Sequence, residues 1–295
     1  MTASKLFGCG TALVTPFRPD GGVDEPALRA LVDWQIAEGV HFLVPCGSTG
    51  EAATLTPDEH RRVVEVTVEQ ARGRVPICAG AGSNDTKKAI AMSAAMKQAG
   101  ATHLLHVSPM YNKPPQRGIV AHFKAIAEST DLPIVVYNVP GRTASNIEAS
   151  TSLELATIPG IVAIKEASGN LSQISDVARD RPPGFAVLSG DDSLTLSVMA
   201  LGGEGIISVV SNAIPGQIAA LCNAALAGNW AEARALHHKL TPFVTAAFIE
   251  SNPIPVKAAL ALLGRIGNVL RLPLVPLATQ HEPKLRAALA AAGAL

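Results

Sequence analysis

A (β/α)8 barrel with additional C-terminal helices is the fold class this sequence predicts, on three observations. Eight short runs rich in Val, Ile and Leu recur along the 295 residues. Segments of helical periodicity separate them, and the strand-plus-helix repeat of about 20 to 33 residues is the length of one βα unit. The runs are apolar nearly throughout instead of alternating, which indicates strands covered on both faces, as in a parallel sheet.

In order, the runs are GTALVTPF, HFLVPCG, VPICAG, HLLHVSP, IVVYNVP, IVAIKEA, FAVLSGD and GIISVVS. After the first comes DEPALRALVDWQIAEG, which opens on a capping Asp and closes on Gly. The second leads into TPDEHRRVVEVTVEQA, opening on Thr, and the third into DTKKAIAMSAAMKQAG, running from Asp to Gly. QRGIVAHFKAIAEST follows the fourth. Past the eighth run only helical patterns appear, NWAEARALHHKLTPFVTAAFI and NPIPVKAALALLG being the clearest. The expected organisation is therefore a catalytic barrel over residues 1–227 and a helical extension over 228–295, packed on the barrel's flank or at a subunit contact. No Pro/Ser-rich linker divides the two. An open doubly wound sheet is the rival, but GCGTAL has only a GxG followed by strand-like residues, where a dinucleotide fingerprint needs GxGxxG opening a helix.

Composition narrows the partners. Lys+Arg and Asp+Glu stand at 24 each, with no basic run, so no positive field draws nucleic acid or anionic lipid. No apolar run approaches the roughly 20 residues of a membrane span. The opening MTASKLFGCGTALVTPF lacks a cleavage site and a continuous apolar middle, so a cytoplasmic protein acting on small molecules is expected. Cys9, Cys46, Cys78 and Cys222 lie far apart without zinc-ligand spacing and read as small core residues. The eight histidines form no HExxH set, and Glu51, Glu166, Asp191 and Asp192 form no recognisable metal cluster.

In barrels of this type the active site lies at the C-terminal ends of the strands. Lys165 closes the sixth run and Tyr137 falls late in the fifth, which sets both at similar heights on neighbouring strands. Burial disfavours a charged lysine and lowers its pKa, giving a neutral amine able to attack a ketone or aldehyde and form a Schiff base. Two readings of Lys165 fit equally: that nucleophile, or a lysine paired with Glu166 or another carboxylate, or reaching the rim. The second run ends in PCGSTGE, whose Ser48 and Thr49 hydroxyls suit a carboxylate, although a plain strand-to-helix turn explains it too. It lacks the pattern of a phosphate-cradling loop. Arg142, in YNVPGRT, is placed either to grip a substrate carboxylate or to stand in solvent. A Schiff-base mechanism without metal or cofactor is the simplest reading.

GSTGE, SPMYNKP, YNVPGRT, IVAIKEASGN and LSGDD, in this order, resemble the dihydrodipicolinate synthase and N-acetylneuraminate lyase family of class I aldolases. The likeness runs from GTALVTPF to LRLPLVPL, nearly the whole chain. It implies that Lys165 forms an imine with pyruvate and that Tyr137, Ser48 and Tyr111 relay protons, Tyr111 reaching in from a neighbouring subunit. It also implies a dimer as the smallest complete unit and a homotetramer as the usual assembly. Thr49 and its backbone would hold the pyruvate carboxylate, with the backbone at Gly190 and Ile207 lining the pocket. Ser48 departs from many synthases, which carry Thr there, and Ser also occurs in lyases. Arg142 points to the synthase branch, where an arginine binds the carboxylate of L-aspartate 4-semialdehyde. The implied reaction condenses that aldehyde with pyruvate on the route to lysine and diaminopimelate. Alternatives are another pyruvate-dependent aldolase, acting on a sialic acid or a 2-keto-3-deoxy sugar acid, and a catalytically silent paralogue. At the family's lysine-feedback site, Asn84 and His60 are kept. Pro57, Met110 and Lys88 replace the usual histidine, tyrosine and glutamate, so insensitivity to L-lysine is expected.

Overall fold

Eight parallel strands curl into a barrel in a computed structural model that describes residues 5–295; Met1–Ser4, the start of the segment read above for a leader, lie outside the described residues. The strands are β1 (Gly8–Ala12), β2 (Phe42–Val44), β3 (Cys78–Gly80), β4 (His103–Val107), β5 (Ile134–Asn138), β6 (Ile161–Glu166), β7 (Ala186–Ser189) and β8 (Gly205–Ser208). Seven fall within the apolar runs of the sequence, and β1 starts two residues ahead of GTALVTPF and overlaps it over residues 10–12. The ladder β2-β1-β8-β7-β6-β5-β4-β3 is closed between its two ends by a parallel bridge from Leu43 to Ile77. Two backbone bonds reinforce that seam, Leu43 N to Pro76 O at 3.0 Å and Gly80 N to Pro45 O at 2.9 Å. A Cβ on Gly80 would fall 2.0 Å from Cys46 O, so glycine is what lets the seam close.

The outer ring is α1 (Glu25–Ala37), α2 (Pro57–Ala71), α3 (Thr86–Gln98), α4 (Gln116–Ser129), the single turn α5 (Pro140–Thr143), α6 (Ala149–Ala156), α7 (Leu171–Asp180), α8 (Thr195–Ala200) and α9 (Pro215–Leu226). Their starts follow from local chemistry. Asp24 and Asp85 accept hydrogen bonds from the first-turn amides of α1 and α3, and Thr56 with Glu59 forms a reciprocal capping box around Pro57 on α2.

Residues beyond 228 fold as α10 (Trp230–Ala246), α11 (Ile254–Leu262) and α12 (Glu282–Ala292). They share one apolar cluster with the barrel: Leu240, Phe243, Val256, Leu260, Leu285 and Leu289 pack in the group that holds Cys9, Leu13 and Leu43. Each such side chain stabilises the fold by about 1.5–3 kcal/mol on burial, so no break in the core separates the residues beyond 228 from the barrel. All four cysteines are buried as free thiols. Among the described residues, no helix is long and apolar enough to cross a membrane.

A separate cluster fills the barrel itself, from Ala12, Phe42 and Val44 round to Val135, Tyr137, Ala163, Leu188 and Ile207. Lys165 rises out of this layer.

Candidate active site

Lys165 sits one residue before the end of β6, directly opposite Tyr137 in the β5–β6 register, and only 5% of its surface is exposed. Neighbours at one height on adjacent strands point to the same face. The amine accordingly lies over the Tyr137 ring, 4.1 Å from its centroid. Lys165 makes no ion pair among the described residues. Burial pushes its amine down from 10.5 to about 8; the Asp192 carboxylate opposes the shift and the Arg142 guanidinium adds to it. Burial likewise pushes the Tyr137 phenol up to about 12, which keeps it protonated.

The competing expectation, a pair with Glu166, does not hold. Successive strand residues face opposite ways, so Glu166 turns from the barrel interior toward the helices. There its carboxylate accepts from Ser168 N at 2.7 Å, Gln173 Nε2 at 3.2 Å and Asn138 Nδ2 at 3.1 Å. Asn138 is the register partner of Glu166 on β5. A buried polar layer thus lies behind the site and a lone amine inside it.

Gly190 follows β7, and its amide donates to Glu166 O at 2.7 Å. A Cβ there would come within 3.0 Å of Lys165 Cε and Cγ, so glycine leaves the lysine stem room to stand upright. Ile207, fully buried on β8 opposite Gly10, closes the interior below. Asp192 bridges β7 to β8 by accepting from Ser208 Oγ and from Val209 N at 3.0 Å, and burial pushes its carboxyl up to about 6.

PCGSTGE follows β2 and holds one short 3-10 turn, Ser48–Gly50, with a second, Ala52–Thr54, directly after it. Opening amides of such a turn have no partner inside it. Ser48 is exposed and makes no hydrogen bond to Tyr137 within the single chain, whereas Thr49 is buried and its Oγ1 accepts from Asn252 Nδ2 at 2.9 Å. Arg142 lies on the exposed turn α5, its Nη2 donating to Asn252 O at 3.2 Å. Tyr111, with φ 71°, is 89% exposed, so in one chain it stands outside the cluster formed by Lys165 and Tyr137. Of the residues expected at a lysine-feedback site, Asn84 and Met110 are in contact. Asn84 Nδ2 donates to Met110 O at 3.2 Å and Lys88 is exposed, while His60 is buried with Nε2 2.8 Å from Gly80 O.

Two residues touching this site escaped the reading of motifs. Asn252 opens NPIPVKAALALLG, a stretch read only as a helical pattern. Lys257 carries the same signal as Lys165, a lysine inside an apolar run, and the structure gives it a different life: Nζ donates to Glu51 Oε1 at 2.7 Å and Thr15 O at 2.9 Å.

Comparison with known proteins matches nearly the whole chain. The family model described as "Dihydrodipicolinate synthetase family" matches residues 5–292. The 4-hydroxy-tetrahydrodipicolinate synthase of Koribacter versatilis is 55% identical over 294 residues, 99% of this chain and 97% of that protein. Among solved structures, dihydrodipicolinate synthase from Thermotoga maritima superposes with a TM-score of 0.97 at 42% identity, covering 99% of this chain and 100% of that one. The chloride-inhibited enzyme from Acinetobacter baumannii, complexed with pyruvate, gives 0.97 at 43% identity over the same shares.

Proposed function

The chain belongs to the dihydrodipicolinate synthetase family, and from that premise we propose that it is a 4-hydroxy-tetrahydrodipicolinate synthase whose Schiff-base nucleophile is Lys165. The observation that carries the assignment is a buried amine at the C-terminal end of the barrel with a phenol beneath it and no carboxylate paired to it. An ammonium held by an ion pair is a poor nucleophile. An amine pushed down to about 8 is neutral in an appreciable fraction at physiological pH.

The steps follow from that group. Lys165 Nζ attacks the keto carbon of pyruvate, water leaves, and loss of a proton from the methyl group gives an enamine. The enamine carbon attacks the aldehyde of L-aspartate 4-semialdehyde; the substrate's own amine then displaces Lys165 from the imine carbon and closes the ring. Tyr137 is the adjacent hydroxyl for the proton transfers, with Ser48 extending the relay toward solvent. Thr49 with its backbone holds the pyruvate carboxylate, Gly190 and Ile207 bound the pocket, and Arg142 takes the second carboxylate in a bidentate grip. Tyr111 completes the relay from a second copy of the chain, a role supported by its exposure here, in a dimer or a dimer of dimers.

Pyruvate plus borohydride tests this directly: a reduced three-carbon adduct belongs on the peptide containing Lys165. An adduct on Lys257, or an active Lys165→Ala, would overturn the mechanism. Offering the semialdehyde, N-acetylmannosamine and glyceraldehyde as acceptors separates a synthase from the other aldolases, the semialdehyde being the expected choice. Arg142→Ala should weaken use of the semialdehyde far more than pyruvate trapping. Engagement of His60 with Gly80 and the exposed positive charge of Lys88 support insensitivity to L-lysine. Half-inhibition below about a millimolar at subsaturating pyruvate, near 4.1 kcal/mol of affinity, would refute that.

A further inference from the structure

The PCGSTGE loop is gripped at two points by the C-terminal extension, and the two grips differ in kind. At Glu51, the Lys257 ammonium and the Arg271 amide both reach the carboxylate, at 2.7 and 3.1 Å. Glu51 is itself in the left-handed region, φ 53°, between the two 3-10 turns, so this pair pins a bend in the backbone. At Thr49 the contact is a neutral one, from the amide of Asn252. Asn252 lies between α10 and α11, 203 residues further along the chain, and it is more than nine-tenths buried. Its main-chain carbonyl accepts from Arg142. Its Oδ1 is buried with no hydrogen-bond partner.

We infer that Asn252 is a positioning residue of the active site, which orients the Thr49 hydroxyl to donate to the carboxylate of pyruvate while its main-chain carbonyl steadies Arg142. The donors decide it. A threonine hydroxyl has one proton and two lone pairs. Asn252 Nδ2 is a donor, so in bonding Oγ1 at 2.9 Å it occupies a lone pair and leaves the Thr49 proton free for an anion. A donor already accepting a hydrogen bond is polarised and donates more strongly. A carboxylate at position 252 would do the reverse, taking the Thr49 proton itself and setting a negative charge beside that of pyruvate. The orphan Oδ1 fits the same role. An unpaired buried acceptor costs roughly 1–3 kcal/mol, which the position bears while its Nδ2 and main-chain carbonyl meet Thr49 and Arg142. The extension is in this view part of the catalytic site, supplying the side chain that bonds the Thr49 hydroxyl and the carbonyl that receives Arg142.

The inference rests on the assignment of pyruvate to Thr49, and the test separates the two. Initial rates are measured on Asn252→Asp against each substrate, with the thermal midpoint and borohydride trapping of pyruvate recorded alongside. Expected is a rise in KM for pyruvate of about tenfold, a smaller fall in kcat, and a KM for the semialdehyde within about twofold of wild type, because Arg142 meets the unchanged main chain. The ratio of this variant's pyruvate KM to that of the wild type at the same pH should fall toward one as pH falls into the carboxylate range, since the introduced side chain, once protonated, can again donate to Thr49. A merely structural role would move both KM values together, without pH recovery. Unchanged pyruvate KM in Asn252→Asp would overturn the inference, and would mean that the amide is turned so that its oxygen accepts from Thr49. Should the aspartate variant fold poorly, Asn252→Ala and Thr49→Val serve instead: if Asn252 acts through Thr49, the double variant raises the pyruvate KM no further than Thr49→Val alone, and additive effects refute it. Failure of wild-type enzyme to trap pyruvate on Lys165 would sink the functional assignment; trapping in the wild type with indifferent variants would sink only the role of Asn252.

Discussion

Lys165 and Lys257 are both buried lysines set in apolar segments, one closing β6 and the other within α11, and they do opposite things. Lys257 is wholly buried, and its amine donates to the Glu51 carboxylate and the Thr15 carbonyl while lying 4.3 Å from the centre of the Phe17 ring. Burial pushes its proton affinity down, and Glu51 pulls it back up. Lys165 has an aromatic ring and no carboxylate in contact; burial pushes it down to about 8, opposed by Asp192 and, less strongly, by Cys78. Burial is common to both, so burial does not distinguish the proposed nucleophile from a structural lysine. The partner decides: a carboxylate at hydrogen-bond distance turns a buried lysine into half of a structural ion pair, and its absence leaves an amine ready for a carbonyl.

The largest effect should come from exchanging their fates. Lys165→Met is expected to lower turnover by roughly a thousandfold or more and to abolish the borohydride adduct, whereas Lys257→Met, where folded, should still trap pyruvate on Lys165. Mass spectrometry of the trapped peptides reads both, and an adduct lost only in the Lys257 variant would invert the comparison.

Stability should show the opposite ranking. Lys257→Met strands the Glu51 carboxylate in the core and is expected to cost about 3–5 kcal/mol in denaturant unfolding. Replacing both members of the pair by apolar residues of similar volume should cost far less, which isolates the stranded charge as the cause.

Lys165→Met should stabilise the chain near neutral pH by roughly 3 kcal/mol, from a downward shift of 10.5 to about 8. The sign follows from linkage. Above about 10.5 the amine is neutral folded or unfolded and contributes nothing; as pH falls toward 8 the unfolded chain takes a proton that the folded chain declines, so stability drops, and below 8 the deficit is constant. The gain from the substitution should therefore be full at pH 7 and vanish in the alkaline range. A gain independent of pH would locate its origin in packing.

The smallest effect concerns Asp192. Imine formation in the wild type should rise with pH through a midpoint near 8, and Asp192→Asn should move that midpoint downward, because the carboxylate that favours the ammonium is gone. Rates of pyruvate trapping across pH check it; an upward movement would show that Asp192 acts on Lys165 through the β7–β8 connection alone.

Much of this molecule was legible without coordinates. Seven of the eight strands lie inside the apolar runs and β1 overlaps its run from Gly10, since a strand buried on both faces keeps few polar positions and its ends are cut by Gly and Pro. The capped starts of α1, α2 and α3 were readable because a cap is satisfied within four residues of chain. Lys165 and Tyr137 could be placed at one height because each sits late in a short strand. The direction of Glu166 was open only because the choice between inside and outside of the barrel depends on phase, which a near-continuous apolar run conceals.

By itself, then, the sequence determined whatever depends on near neighbours: strand and helix order, the caps, the barrel, and an amine at the rim whose chemistry its family resemblance named. Only the tertiary structure decided which buried lysine keeps a counter-ion, because Glu51 lies 206 residues from Lys257 and nothing local links them. It alone joined Asn252 to Thr49 across 203 residues, and turned Glu166 away from the amine beside it. Contacts of that span are set by where packed elements bring their side chains, and a hydrogen bond or a charge is felt over a few ångströms of space, whatever the distance along the chain.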